Sequence, residues 1–161
     1  MGFSKRPMRV YIDTSVVGGC LDEEFATDSK RIFEWAVSKR LILLLSDIVI
    51  AEIEPAPSQV KKILDDLPPE CTRRVEITND VIALRDAYIR AGVIGARWAD
   101  DAAHVAAATA ARADAIVSWN FKHIVNLDRI KAYNQVNLAE GYGFLTILSP
   151  REVGHDDNTE E

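Results

Sequence analysis

The chain has 161 residues, of which 48% are hydrophobic and 27% charged, and its formal net charge is −6. This length and apolar fraction predict a single globular domain over residues 1–150, with an acidic, disordered tail over residues 151–161. The two cysteines suit neither a zinc site nor a disulfide scaffold, and no apolar run approaches the ~18 residues of a membrane span. Because the first residues also lack the apolar stretch of a secretory signal, we expect a cytoplasmic protein with no membrane segment.

Strand and helix signals alternate along the chain. In chain order, the predicted elements are a strand at 8–12, a helix at 23–40, a strand at 41–45, a helix from 47 to the residue before Pro55, a helix at 59–67, a strand at 74–78, a helix at 79–91, a helix at 98–112, a strand at 115–119, a helix at 127–140 and a strand at 144–148. The strands are continuously apolar, which is typical of a parallel sheet covered by helices on both faces. We therefore predict a three-layer α/β/α fold around a five-stranded parallel sheet. The pair Gly18-Gly19 predicts a break in the chain after the first strand.

Two acidic residues stand where such a sheet gathers its ligands, beyond the carboxyl ends of the strands. Asp13 directly follows the first strand. Glu52 lies on the helix after the second strand, on one arc with Val49 and Ile53. A carboxylate on the apolar face of a helix must form an ion pair, bind a metal or lie at the solvent-exposed edge of that face, because burying it alone costs several kcal/mol.

A third acidic position opens the alanine-rich helix at 98–112, and the pattern leaves two candidates. Asp101 shares a side with Val105, and Asp100 shares a side with Ala103, so both lie beside apolar residues. On the predicted topology, carboxylates from three segments meet at one end of the sheet, where their repulsion favours a bound cation. Carboxylate oxygens suit Mg²⁺ or Mn²⁺. Such an ion would let an acidic protein hold a phosphodiester and would activate a water molecule.

Four segments, in this order and spacing, resemble the motifs of the PIN domain, the fold of the VapC-type toxin ribonucleases. They are Tyr-Ile-Asp13-Thr-Ser, Ser46-Asp-Ile-Val-Ile-Ala-Glu52, Asp101-Ala-Ala-His-Val-Ala, and Ser118-Trp-Asn120 at the end of the fourth strand. The resemblance covers nearly the whole chain, and it favours Glu52 over Glu54 and Asp101 over Asp100. It implies a sheet with the strand order 3-2-1-4-5.

The same resemblance implies a Mg²⁺- or Mn²⁺-dependent endoribonuclease with Asp13, Glu52 and Asp101 as metal ligands. Asn120 stands where many members of the family have aspartate. Asparagine supplies no charge, but its amide can hold a metal-bound water or a phosphate and so assist catalysis. The class further implies an RNA substrate, an antitoxin partner in a type II toxin–antitoxin pair, and often a homodimer.

Polar residues beside these positions complete the predicted site. We expect the hydroxyls of Ser15 and Ser118 to hydrogen-bond the acidic side chains. Lys122 and His123 follow the fourth strand, close to the predicted metal, and we expect them to contact the RNA backbone.

Other assignments remain open. We predict that His104 and Trp98 pack within the fold, although Trp98 could instead stack a nucleobase. The protein could be a PIN-like module that binds RNA or another protein without cleaving, since Asn120 weakens the acidic set. A phosphoacceptor domain that uses Asp13 fits less well, because it needs an acidic pair after the first strand and Asp13 stands there alone.

Overall fold

A computed structural model describes residues 6–155, which form one layer of strands between two layers of helices. The strands are β1 (Met8–Ile12), β2 (Leu41–Ser46), β3 (Thr72–Val75), β4 (Ala115–Val117) and β5 (Ile147–Leu148). They lie in the order β3-β2-β1-β4-β5, and every neighbouring pair is parallel. The predicted sheet and its strand order are therefore confirmed.

Helices flank the sheet on both faces. They are α1 (Thr14–Gly19), α2 (Ala26–Val37), α3 (Asp47–Ile53), α4 (Ser58–Asp65), α5 (Asn79–Arg90), α6 (Ala99–Ala110), α7 (Leu127–Ala139) and α8 (Pro150–His155). Helices α1 to α4 cover one face, around a core that includes Ile32 and Val49. Helices α5 to α7 cover the other face, around Leu84 and Tyr133. This arrangement is the predicted three-layer α/β/α fold.

The side chains of the central strands alternate between the two cores, which explains why the strand sequences are apolar throughout. In β1, Val10 and Ile12 face the α1–α4 layer, whereas Tyr11 faces the α5–α7 layer. Leu43 and Leu44 of β2 divide in the same way. A parallel strand covered on both faces has no solvent-facing positions for polar residues.

Side-chain caps begin two helices where the sequence predicts them. Ser46 Oγ accepts the N–H of Val49 at the start of α3, and Asn126 Oδ1 accepts the N–H of Arg129 at the start of α7. Gly92, just beyond α5, has a φ of +79°, a conformation that glycine adopts at little cost. Local sequence signals are therefore sufficient to place these helix ends.

The third and fifth strands differ from the predicted segments because side chains take over backbone partners. After β3, the N–H of Ile77 donates to the carboxylate of Asp47 at 3.3 Å. Before β5, the N–H and the carbonyl of Leu145 both bond the side-chain amide of Asn134, at 2.7 and 3.1 Å. The third strand therefore ends at Val75 rather than at residue 78, and the fifth begins at Ile147 rather than at residue 144.

Helix α1 replaces the predicted break after the first strand, since both Gly18 and Gly19 lie within it. Gly19 is required there by close packing rather than by a turn. A Cβ atom at Gly19 would collide with Ser29 Oγ and would lie 2.8 Å from Trp119 Nε1. Glycine thus allows α1 to approach α2 and the segment after β4.

We predict that Gly19→Ala lowers the free energy of unfolding by about 1–3 kcal/mol, the usual cost of an overpacked core. The added methyl group must displace Ser29 or Trp119, whose side chains share a 2.7 Å hydrogen bond. Gly18→Ala is the matched control, because nothing lies within 4 Å of a Cβ there. Urea unfolding of both variants measures the difference, and equal stabilities would contradict the packing role of Gly19.

The chain continues in helical form beyond residue 150, where the sequence predicts a tail from residue 151. Helix α8 contacts α2, and Val153 packs against the α1–α4 core. Residues 151–155 are therefore helical rather than part of a tail, because this apolar contact anchors them, and residues 156–161 lie outside the described residues. Between residues 6 and 155, every helix is too short or too polar to cross a membrane.

Candidate functional site

The predicted acidic residues lie at the carboxyl edge of the sheet. Asp13 directly follows β1, Glu52 lies on α3 after β2, and Asp101 lies in the first turn of α6. Asp100, the competing candidate in the same turn of α6, is exposed to solvent. The structure thus brings the three residues favoured by the motifs to one edge and turns Asp100 outwards.

Asp13 is held by two hydroxyl groups. Its side chain is only 4% exposed and does not cap α1. Instead, Ser15 Oγ donates to Oδ1 and Ser118 Oγ donates to Oδ2, each at 2.6 Å. The same hydroxyl oxygens accept the backbone N–H groups of Trp119 and Asn120, at 2.9 Å each. The segment after β4 therefore fixes both oxygens of Asp13.

The electrostatic environment of Asp13 favours a cation. Burial raises the pKa of Asp13 above its ordinary value, and repulsion by Asp101 adds to the effect. The attraction of His104 and the two serine hydrogen bonds oppose this rise without cancelling it. The ionised carboxylate is therefore a poorly compensated buried charge, which a bound cation would stabilise.

Glu52 is tied to a buried chain of hydrogen bonds. His104 Nε2 lies 2.9 Å from Glu52 Oε1, which also accepts a hydrogen bond from Thr14 Oγ1. His104 Nδ1 lies 2.7 Å from Tyr11 Oη, and Tyr11 Oη lies 2.7 Å from Ser46 Oγ. This series of hydrogen bonds therefore links Glu52 on α3, through His104 on α6, to Tyr11 on β1 and to Ser46, the residue that caps α3.

The direction of these hydrogen bonds follows from the available protons. Glu52, when ionised, only accepts, so His104 Nε2 donates to it. An imidazolium, whose charge lowers the pKa of Asp13 and Glu52, donates to Tyr11 at Nδ1. A neutral imidazole instead accepts from Tyr11 at Nδ1, and Tyr11 then accepts from Ser46. Ser46 Oγ in turn accepts the N–H of Val49. With the ring in this tautomer, each hydroxyl proton of the chain has an acceptor.

His104 illustrates what the sequence pattern misses. The packing role predicted for it accounts for its burial, since the residue is 2% exposed. It does not account for the two hydrogen bonds of the ring. A histidine surrounded by alanines on a helix buried on most sides must find polar partners, and this is the signal that could have revealed its link to Glu52.

Glu52 itself lies at the solvent-exposed edge of the apolar face of α3 rather than in the core. Its side chain is 33% exposed, whereas Val49 and Ile53 on the same arc are buried. Partial burial raises the pKa of Glu52, but the hydrogen bonds from His104 and Thr14, with the attraction of His104, together lower it below its ordinary value. Glu52 therefore stays ionised.

Asp101 is connected to His123 and Trp98. His123 Nδ1 lies 2.9 Å from Asp101 Oδ2, and the centroids of the His123 and Trp98 rings are 4.4 Å apart. His123 is only 5% exposed because Trp98 covers it. His123 therefore contacts Asp101 directly, whereas Lys122, beside it in the turn, is exposed.

Asn120 shapes the turn that carries these residues. Its side-chain oxygen accepts the backbone N–H of His123 at 2.9 Å, and its own N–H donates to Ser118 Oγ. This use of the oxygen leaves the amide nitrogen as the group best able to reach a ligand. The catalytic role of Asn120 stays a prediction.

The donor set at this edge fits a hydrated Mg²⁺ or Mn²⁺ ion better than a fully ligated one. Among residues 6–155, no group of three or more His, Cys, Asp or Glu residues is close enough to hold a metal ion directly. Mg²⁺, however, keeps several waters and needs only one or two carboxylates. The buried charge of Asp13 and its repulsion with Asp101 meet that requirement. The direct three-carboxylate set of Asp13, Glu52 and Asp101 stays a prediction.

Solved structures with the same fold belong to toxin–antitoxin systems. The VapBC2 complex of Rickettsia felis, bound to promoter DNA, has a chain with 17% identity and a TM-score of 0.57, covering 88% of this chain and 98% of that one. FitAcB of Neisseria gonorrhoeae matches with 14% identity and a TM-score of 0.54, over 88% of this chain and 97% of that one. VapC20 of Mycobacterium tuberculosis, a toxin that cleaves the sarcin–ricin loop, matches with 14% identity and a TM-score of 0.51, over 71% and 92%.

These matches establish the fold. The chain has the PIN-domain fold of the VapC-type toxins, as the sequence resemblance implies. No family model and no curated protein sequence matches the chain.

Proposed function

We propose that this protein is a Mg²⁺- or Mn²⁺-dependent endoribonuclease of the VapC type. The observation that carries the proposal is the buried carboxylate of Asp13, held by two serine hydroxyls beside Asp101 at the carboxyl edge of a PIN-type sheet. The sarcin–ricin loop cleaving toxin from Mycobacterium tuberculosis has the same fold and supports RNA as the substrate.

Each residue of the site has a role in this proposal. Asp13, Glu52 and Asp101 would hold the ion, which when bound polarises the phosphoryl group and lowers the pKa of a water molecule. Ser15 and Ser118 fix both oxygens of Asp13, so the carboxylate needs little reorganisation to receive the ion.

Groups of the turn after β4 would meet the substrate. The exposed ammonium group of Lys122 would contact an RNA phosphate. The amide nitrogen of Asn120 would donate to a phosphate oxygen, while its carbonyl oxygen keeps the turn in place. His123 contributes by orienting Asp101 rather than by touching RNA, because it is buried under Trp98.

We predict that Asp101→Asn lowers RNA cleavage by about 100-fold or more, since even the loss of an outer partner of a metal ligand costs ~10–100-fold. Asp100→Asn is the matched control in the same helical turn, and we expect its activity to stay within about twofold of the wild type because Asp100 is exposed. The assay follows cleavage of structured RNA with Mn²⁺ and with chelator.

Three outcomes separate the proposal from its alternative. Cleavage that needs Mn²⁺ and is lost in Asp101→Asn but not in Asp100→Asn supports the proposal. Cleavage that survives chelator contradicts the role of the metal. Tight RNA binding without cleavage at any metal concentration would identify a PIN-like binding module instead.

We further propose that the protein pairs with an antitoxin, forms a homodimer and acts in the cytoplasm. The support is that the VapBC and FitAB structures of the same fold are toxin–antitoxin complexes. The product of a small reading frame next to the gene should copurify with the protein and inhibit its cleavage of RNA. Sedimentation analysis of the purified protein tests the homodimer.

A further inference from the structure

Trp98 lies three residues before Asp101, and the cationic side chains of Arg97 and Lys122 lie close to its ring. Its side chain is 38% exposed, although large aromatic residues are usually more buried. The guanidinium carbon of Arg97 lies 5.1 Å from the centre of the Trp98 ring, and Lys122 Nζ lies 5.8 Å from it. We call these three residues the Trp98 platform.

The platform is supported from behind by fixed groups. The ring of His123 lies against Trp98, with 4.4 Å between the ring centroids. Asp101 holds this imidazole at Nδ1, and Asn120 and Tyr133 bond its backbone N–H and carbonyl, at 2.9 and 2.8 Å. A ligand that stacks on Trp98 therefore meets a ring already held in position, which reduces the entropy lost on binding.

The chemistry of the platform matches a single-stranded nucleic acid. Nucleobases stack on exposed aromatic rings, and neighbouring cations contact the phosphates. In a chain of net charge −6, two cations lie beside one exposed tryptophan, where they can contact phosphates. His123 links the platform to Asp101, so a base bound there would have its phosphate close to the acidic edge.

We propose that Trp98 stacks a nucleobase of single-stranded RNA, and that Arg97 and Lys122 contact the adjoining phosphates. This deepens the proposed function, on which it rests, by assigning the part of the molecule that holds the unpaired substrate strand. The packing role predicted for Trp98 from the sequence describes the contact of its ring with His123, and the 38% of the residue that is exposed is the part that a base would reach.

Binding is tested on the full chain in chelator, so that no cleavage occurs. The probe is a fluorescein-labelled single-stranded RNA of about ten nucleotides, within the span that such sites cover. We expect Trp98→Leu to raise the Kd about 10-fold or more, and Trp98→Phe, which keeps an aromatic face, to restore most of the affinity. Lys122→Gln should reduce the salt dependence of log Kd by about 0.7, the value for one lost phosphate contact.

Trp35 provides a matched control. Arg40 lies 4.1 Å from the centre of its ring, so the pair has the same chemistry, but Trp35 is on α2 and Arg40 directly precedes β2, away from the acidic edge. We expect Trp35→Leu to leave the Kd unchanged. Far-UV circular dichroism and thermal unfolding of each variant show whether the fold is retained.

The outcomes distinguish this inference from the proposed function. A Trp98-dependent Kd without cleavage in Mn²⁺ supports the platform and contradicts the ribonuclease. Normal cleavage with equal Kd values for the wild type and Trp98→Leu overturns the platform and leaves the ribonuclease standing. The proposal for the Trp98 platform is also overturned if the wild type does not bind the RNA. It is likewise overturned if Trp98→Leu loses affinity only for a protein partner.

Discussion

Asp13→Asn is expected to reduce metal-dependent RNA cleavage by at least about 100-fold. Asparagine keeps the size of the side chain and one acceptor oxygen, but it removes the negative charge that attracts the cation. Ser15 and Ser118 keep their own backbone partners, so the local structure is expected to persist. Cleavage assays across a range of Mn²⁺ concentrations measure the loss, and activity within about tenfold of the wild type would contradict it.

Urea unfolding shows whether this variant is folded, and the pH dependence of its unfolding free energy shows whether Asp13 carries a buried charge. Burial raises the native pKa of Asp13 above its ordinary value of 3.8, so the native state binds the proton more tightly than the unfolded state. The contribution of Asp13 to stability is therefore fully present below about pH 3.8 and is lost as the pH rises through the native pKa.

In that window the wild type loses up to about 1.4 kcal/mol of unfolding free energy per pH unit through this group, and Asp13→Asn does not. The stability of the variant relative to the wild type should thus increase with pH and then level off. Urea unfolding in chelator across the window measures this difference. Parallel pH profiles for the two proteins would contradict a raised pKa at Asp13.

His104→Leu is expected to lower cleavage by about 10–100-fold and the free energy of unfolding by about 1–3 kcal/mol. The substitution removes one of the two hydrogen-bond partners of Glu52 Oε1 and leaves the Tyr11 hydroxyl without its imidazole partner. His104→Gln can donate to Glu52 and accept from Tyr11, so it should recover part of both losses. Kinetics and urea unfolding measure the two effects.

Thr109→Val separates the positioning of Glu52 from a general loss of stability. Thr109 is also buried on α6, and its hydroxyl lies 3.3 Å from that of Tyr88, but Thr109 is in the last turn of the helix, whereas Asp101 is in the first. We expect this variant to be destabilised with unchanged cleavage. Equal losses of cleavage in Thr109→Val and His104→Leu would show that His104 acts only through the stability of the fold.

The sheet could be predicted from the sequence because its signals are local. Continuous apolar runs define the central strands, and Ser46 marks the start of α3 in a single short segment. The motif around Glu52 has the same local character. Where side chains replace sheet partners, as Asn134 does for Leu145, the strand boundary depends on a distant residue and the pattern fails.

The hydrogen bonds of Ser15 and Ser118 to Asp13 are predicted from the sequence, whereas the contacts that support Glu52 and Asp101 are not, because they join remote parts of the chain. Tyr11 and His104, which share a hydrogen bond, are 93 positions apart. His123 is placed in the correct turn by the sequence, but its burial under Trp98 depends on packing between α6 and that turn. Periodicity gives the face on which a residue lies, not the partner that it meets there.

Titration of the protein with Mn²⁺, followed by calorimetry, tests most directly whether the carboxyl edge of the sheet is a cation site. We expect saturable binding of Mn²⁺ to the wild type and to Asp100→Asn, with loss of that binding in both Asp13→Asn and Asp101→Asn. Absence of saturable binding in the wild type, or binding that Asp13→Asn leaves unchanged, would contradict it.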